Sequence, residues 1–190
     1  MKVLIAYGSV EGQTRKIAER IAERIRNHGE ESTLYDTECR PRHLAVDVFD
    51  AVIVASSVHQ ALHQISVRDF VAAHRALLED IPSAFVSVSL SSAFRNGGTD
   101  AQNYVDYFFE NTGWHPTYYI KVAGALRYSE YDFFKEQILR HAVFKDRLEI
   151  VDGHDHEFTD WSEVNEFIDR FLQHTKARSR TSPVPTASKN

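Results

Sequence analysis

Residues 8 to 14, Gly8-Ser9-Val10-Glu11-Gly12-Gln13-Thr14, follow directly on the apolar run Val3 to Tyr7 and lead straight into a stretch of helical periodicity. A helix start leaves its first N–H groups without intrahelical partners and carries a partial positive charge, so a turn of small and hydroxyl residues there can receive a phosphate. Gly12 lets the main chain approach closely, and the hydroxyls of Ser9 and Thr14 can donate to phosphate oxygens without help from lysine or arginine. Two common phosphate loops are excluded. There is no G-x-x-x-x-G-K-S/T, which argues against an NTPase, and no G-x-G-x-x-G, which argues against the usual dinucleotide fold.

The elements that position this turn are legible as alternating patterns. Val3 to Tyr7, Ala51 to Ala55, Ala84 to Val88 and Tyr118 to Ala123 read as strands, with a weaker one at Thr33 to Tyr35. Their apolar character is continuous, as a parallel sheet covered on both sides requires. Ile17, Ala18, Ile21, Ala22 and Ile25 form a helical stripe stopped by Gly29. Further helices are expected from Val67 to Leu78, from Ala101 to Asn111, and from Asp160 through Phe171, where Asp160 and Glu163 have the spacing of a capping box. Alternation of this kind implies an α/β three-layer sandwich: a five-stranded parallel sheet in the order 2-1-3-4-5 with helices on both faces. Its ligand crevice opens beyond the carboxyl ends of the strands, bordered by the turns Gly8 to Thr14, Ser56 to Gln64 and Ser89 to Gly98.

The first turn resembles that of the flavodoxin-like family, whose T-x-T-G-x-T pattern binds the phosphate of FMN. Ser9-Val10-Glu11-Gly12-Gln13-Thr14 keeps the first, fourth and last positions, and Glu11 departs from the third. A carboxylate cannot donate to phosphate, so Glu11 is expected to turn outward and contribute only its backbone N–H. The variant Ser/Thr-x-Asp/Glu-Gly-Gln-Thr is similar to one branch, the bacterial menaquinone-linked protoporphyrinogen IX dehydrogenases. Pro82-Ser83-Ala84-Phe85, Trp114-x-Pro116, Ala123-Gly124-Ala125-Leu126-Arg127-Tyr128 and Thr159-Asp160-Trp161 look like further landmarks of it.

The resemblance implies a flavin ring lying between the second and third turns. Ser57, Val58 and His59 would border it on one side, and Ser89, Leu90, Ser91 and Ser92 on the other, with Phe94 as a stacking ring. His59 and Gln60 stand where the branch shows tyrosine and glycine, while His63 keeps the matching place and is assigned to substrate; for both histidines a solvated loop position is the alternative. Arg127 and Tyr128, at the carboxyl end of the fifth strand, can hold a substrate carboxylate, unless Arg127 caps a helix end or pairs with an acid such as Glu130. Gly153-His154-Asp155-His156-Glu157 lacks a third spaced ligand set, so no metal site is expected.

The chain's 190 residues, 43% of them apolar, suffice for one domain, expected over residues 1–175 with an extended segment at 128–159 and a disordered tail at 176–190. The balance of 22 basic against 27 acidic residues disfavours nucleic acid as a partner. Cys39 is the single cysteine, which excludes an intrachain disulfide and, with no apolar export segment in view, suggests the cytoplasm, with the inner membrane face as a peripheral option. A helix is expected from Asp132 to Lys145. Between Tyr128 and Val151, Lys135, Arg140, Lys145 and Arg147 stand against Glu130, Asp132, Glu136, Asp146 and Glu149. That near-neutral balance favours packing against the domain or a second subunit, as in a homo-oligomer, over membrane contact. The expected function is an FMN-dependent oxidation of a porphyrinogen with a quinone-type acceptor, for which no catalytic acid or base is assigned. The alternatives are a flavodoxin-like electron carrier and a flavin-free scaffold.

Overall fold

Successive side chains of a strand point to opposite faces, and in β1 (Lys2–Gly8) this sends Val3, Ile5 and Tyr7 into one apolar layer and Leu4 and Ala6 into the other. The computed structural model describes residues 1–39, 44–94, 97–127 and 154–181. After β1 come α1 (Gln13–Asn27), β2 (Glu31–Asp36), β3 (Ala51–His59), the short β4 (Leu62–His63), α2 (Ile65–Asp80) and β5 (Ser83–Ser89). The chain continues through α3 (Gly98–Thr112), β6 (Tyr118–Ala123), the two-residue strands β7 (Ala125–Leu126) and β8 (His156–Glu157), and α4 (Trp161–Thr181).

The sheet runs β2-β1-β3-β5-β6 with every one of these neighbours parallel. Counting the long strands alone, this is the 2-1-3-4-5 order expected from the alternation. Two additions are not legible in the sequence: β4 pairs antiparallel with β3, and β7 pairs with β8 in a separate small sheet.

Helices α1 and α4 cover one face. The stripe Ile17, Ala18, Ile21, Ala22 and Ile25 is fully buried there, against Val164, Phe167, Ile168 and Phe171 of α4. Each buried isoleucine contributes roughly 1.5–3 kcal/mol. Helices α2 and α3 cover the other face through Val67, Phe70, Val71, Val105 and Phe108.

Polar ties fix α4 in place. Arg24 donates from Nε and Nη2 to the two carboxylate oxygens of Asp169 at 2.9 and 2.7 Å, and His28 Nε2 lies 2.8 Å from the same carboxylate. The guanidinium beside it holds the Asp169 carboxyl down at about 2. Asp160 accepts the N–H groups of Ser162 and Glu163 at 2.9 and 3.1 Å, which is the expected cap.

Residues 176–181, expected to belong to the tail, are part of α4, which continues to Thr181. Lys176 pairs with Glu30 at 2.7 Å and Arg178 donates to the Asp80 carbonyl at 3.2 Å, which gives those turns partners to pack on. Residues 182–190 and the helix expected from Asp132 to Lys145 lie outside the described residues. Among the described residues no helix is long and apolar enough to cross a membrane.

Candidate functional site

Strands β1, β3 and β5 are neighbours, and their register places Gly8 beside Ser56 and Ser57 beside Val88. The three turns expected to line a crevice therefore leave the sheet at one level, on the side of the strands' carboxyl ends.

Gly12 adopts φ 87°, a left-handed conformation that favours glycine, and it stands as the N-cap of α1 with no side-chain cap and no acid in the first turn. Its N–H donates to Ser9 Oγ at 3.1 Å, which leaves the Ser9 hydroxyl proton for another acceptor. Thr14 is 1% exposed, and its hydroxyl has no hydrogen-bond partner among the described residues. A buried unsatisfied hydroxyl is costly, and one beside a helix start is suited to a ligand oxygen. Gln13 is also buried, but its Nε2 donates to Thr159 Oγ1 at 2.8 Å, and that hydroxyl donates to the Ala123 carbonyl at 2.8 Å. The turn is thereby tied to the end of β6. Val10 is exposed.

Glu11 does not turn outward as expected. Its side chain is 13% exposed, with Oε1 3.4 Å from His59 Nδ1, because the second turn supplies an imidazole against which the carboxylate can bury. The contact links two of the three turns.

The second turn, Ser56 to Gln64, is built as a hairpin. β3 continues to His59 and pairs back through Val58 with His63 and His59 with Leu62. The two residues between, Gln60 at φ 50° and Ala61 at φ 62°, both take left-handed conformations, the requirement of a tight hairpin turn. Glycine meets that requirement without strain, whereas side chains there cost about 1 kcal/mol each. Gln60→Gly is therefore expected to raise the thermal midpoint by about 2–4 °C, read by calorimetry or circular dichroism. A midpoint lowered by the substitution would show that the glutamine side chain contributes more than the backbone strain costs. Ser57 is buried and accepts from Gln64 Nε2 at 3.1 Å.

His63, assigned to substrate from the sequence, is a core residue. It is 4% exposed, its Nε2 lies 2.9 Å from Ser87 Oγ, and its ring packs edge-on against Phe85 and Phe108 with centroids 5.2 and 4.9 Å away. Burial pushes its pKa down to about 3. The side-chain alternation of β4 sends His63 inward while Leu62 stays exposed.

In the third turn Ser89 and Ser92 bond through their hydroxyls at 2.9 Å, and Ser91, 1% exposed, lies 3.4 Å from the Tyr104 hydroxyl. Leu90 is buried and Phe94 half-buried. The expected amide donors are engaged internally at three positions: Ser92 N–H to Ser89 Oγ, Ala93 N–H to the Leu90 carbonyl and Phe94 N–H to the Ser91 carbonyl. Gly97 is required by close approach, since a Cβ there would meet the Ser91 carbonyl oxygen at 1.8 Å.

Arg127 follows β7 and pairs through Nη1 with Asp155 Oδ2 at 2.6 Å, while Glu130 lies outside the described residues. Tyr128 lies outside the described residues. The sequence offers no assignment for Gln64, Ser87 or Asp155. It does offer Thr159-Asp160-Trp161 as a landmark, and all three residues have a part in the structure. Thr159 holds Gln13, Asp160 caps α4, and Trp161 Nε1 donates to Glu157 at 2.7 Å.

A doubly wound parallel sheet whose strands β1, β3 and β5 release three such turns at one level defines the flavodoxin-like class of α/β proteins. The flavodoxin domain family matches residues 4–147, and the chain belongs to that family. It is similar to protoporphyrinogen IX dehydrogenase (quinone) of Escherichia coli strain K12, 28% identical over 168 residues that cover 88% of this chain and 92% of the relative. It is also similar to the protein of the same name from Leishmania major, at 25% identity over 90% of this chain and 74% of that one. Among solved structures it resembles oxidised flavodoxin 1 from Bacillus cereus, with a TM-score of 0.53 at 16% identity, covering 96% of this chain and all of the other.

Proposed function

We propose that this chain binds FMN across the three turns and acts as a flavin-dependent oxidoreductase, oxidising a porphyrinogen and delivering electrons to a quinone-type acceptor. The observation that carries the cofactor is the buried Thr14 hydroxyl, without a hydrogen-bond partner among the described residues and set in the first turn of a helix that no side chain caps. Those groups fit a phosphate: N–H donors at the start of α1, the hydroxyls of Ser9 and Thr14, and a left-handed Gly12 that leaves open space above the backbone. The names of the two dehydrogenase relatives support the substrate and the acceptor.

Bound FMN supplies two-electron redox chemistry. The chain's part is positional. Ser9, Gly12 and Thr14 would hold the phosphate end, and the hairpin at His59 and the turn at Phe94 would border the ring. Because His63 is sealed in the core, it fixes the hairpin from beneath and does not touch substrate. Arg127, 37% exposed, can exchange Asp155 for a substrate carboxylate, since both are charged partners of the same geometry.

The test is a titration of the purified chain with FMN, followed by anaerobic addition of porphyrinogen and a water-soluble naphthoquinone. A bound-flavin spectrum with porphyrin fluorescence growing faster than in the protein-free control is the expected result. Bound flavin without porphyrin formation identifies a carrier, and no flavin binding overturns the cofactor.

A further inference from the structure

Glu11 lies in the first turn, within the stretch Ser9 to Thr14, and His59 lies in the second, at the end of β3. They are far apart in sequence, yet the structure joins them at 3.4 Å with both side chains largely covered, 13% and 31% exposed. A carboxylate within the phosphate turn opposes a phosphate dianion, and its low exposure denies it full screening by water. The cations at the start of α1 are committed elsewhere: Arg15 to Glu19 at 3.0 Å, and Lys16 to Glu157 beside the Trp161 ring. Among the described residues, the His59 imidazole is the group placed beside Glu11.

We propose that His59 is a positioning residue for the cofactor phosphate: by holding Glu11 Oε1 against its ring at 3.4 Å it keeps that carboxylate turned away from the first turn, so that a phosphomonoester can occupy the turn. The proposal rests on the reading of the site as an FMN site and adds to it a reason for phosphate selectivity. His59 acts on the phosphate through Glu11, so its effect must vanish when Glu11 carries no charge. A histidine that only stacked on the ring, or only held the hairpin, has no such dependence.

The experiment compares FMN with riboflavin, which has the same ring and no phosphate, on the full chain and on Glu11→Gln, His59→Gln, His59→Lys and the Glu11→Gln/His59→Gln double variant. The quantity read is the ratio of FMN affinity to riboflavin affinity. His59→Gln is expected to lower that ratio by about three- to tenfold, the size of a partly buried charge pair. His59→Lys keeps the ratio near that of the unaltered chain, Glu11→Gln holds or raises it, and the double variant matches Glu11→Gln. An unchanged ratio in His59→Gln overturns the proposal while leaving the FMN site intact, as does a loss that persists in the double variant. Should His59→Gln not fold, Glu11→Gln and His59→Lys decide, since a ratio lowered by Glu11→Gln or by His59→Lys is also incompatible with it. If the unaltered chain binds neither flavin, the reading of the site falls and the proposal with it.

Discussion

Replacing Gly12 with aspartate is expected to weaken FMN binding on the order of a hundredfold or more, measured by quenching of flavin fluorescence. Gly12 sits at φ 87°, and a Cβ built there has no other atom within 4 Å, so the new side chain finds room and the penalty to folding is that of the left-handed backbone alone. Aspartate is among the residues that tolerate this conformation best. A carboxylate about 4 Å from a phosphate at an effective dielectric of about 20 opposes it by about 4 kcal/mol for each unit of phosphate charge before screening. The existing carboxylate at Glu11 lies 3.4 Å from His59 instead, the arrangement on which the proposed role of that histidine rests. Gly12→Asn provides the control, making the same backbone demand without the charge; its FMN affinity is expected to fall less than about tenfold. Equal losses in the two variants would locate the cost in the backbone, and full retention of affinity in Gly12→Asp would place the phosphate elsewhere.

Stability is expected to fall by several kcal/mol as the solution is acidified from about pH 6.5 toward pH 3, with His63 as the main cause. In the unfolded chain this histidine takes a proton near 6.5, whereas in the fold burial delays protonation until about 3. The unfolded state therefore binds more protons throughout that window, and stability drops by up to about 1.4 kcal/mol per pH unit. The stabilising contribution is fully present above pH 6.5 and is lost on the way down to the folded value. Asp169 adds a second, lower limb: its folded value of about 2 lies below the ordinary carboxyl value of 3.8, so the Arg24 clamp weakens as pH falls from about 4 to 2. His63→Gln keeps a polar group near Ser87 and is expected to be less stable at pH 8 yet to lose little between pH 6.5 and 4, as read by urea denaturation at each pH. If the wild type and His63→Gln lose stability in parallel over that window, another group controls the acid limb.

The two expectations draw on different sources. Gly12 stands out by its place in a hydroxyl-rich turn between a buried strand and a helix, and the left-handed backbone is the conformation such a turn demands. His63 stands out as well, by its match to a family position, but that match puts it on the wrong side of the wall: two residues of β4 are too short a pattern to reveal which way the ring faces. The hairpin itself is hidden because neither Gln60 nor Ala61 is the glycine or asparagine that usually marks a left-handed turn.

Glu11 shows the limit most clearly, since its direction depends on a histidine from another strand that local sequence could not bring near. Arg127 is similar, its partner Asp155 arriving through the small sheet of β7 and β8.

What the sequence determined by itself was what depends on periodicity, alternation and composition: the parallel sheet and its strand order, the helices on both faces, the cap at Asp160, and a glycine-bearing turn at Ser9 to Thr14 between the first strand and the first helix. The elements and the cap follow from residues within one or two turns of each other, where apolar spacing and backbone freedom act locally, and the strand order from the regular alternation of strand and helix along the chain. The tertiary structure alone decided which charged and polar side chains meet: Glu11 with His59, His63 with Ser87, Gln13 with Thr159 and Asp169 with Arg24. Partnership between side chains far apart in the chain is set by how the layers stack, and a buried polar group takes whichever partner that stacking brings within reach.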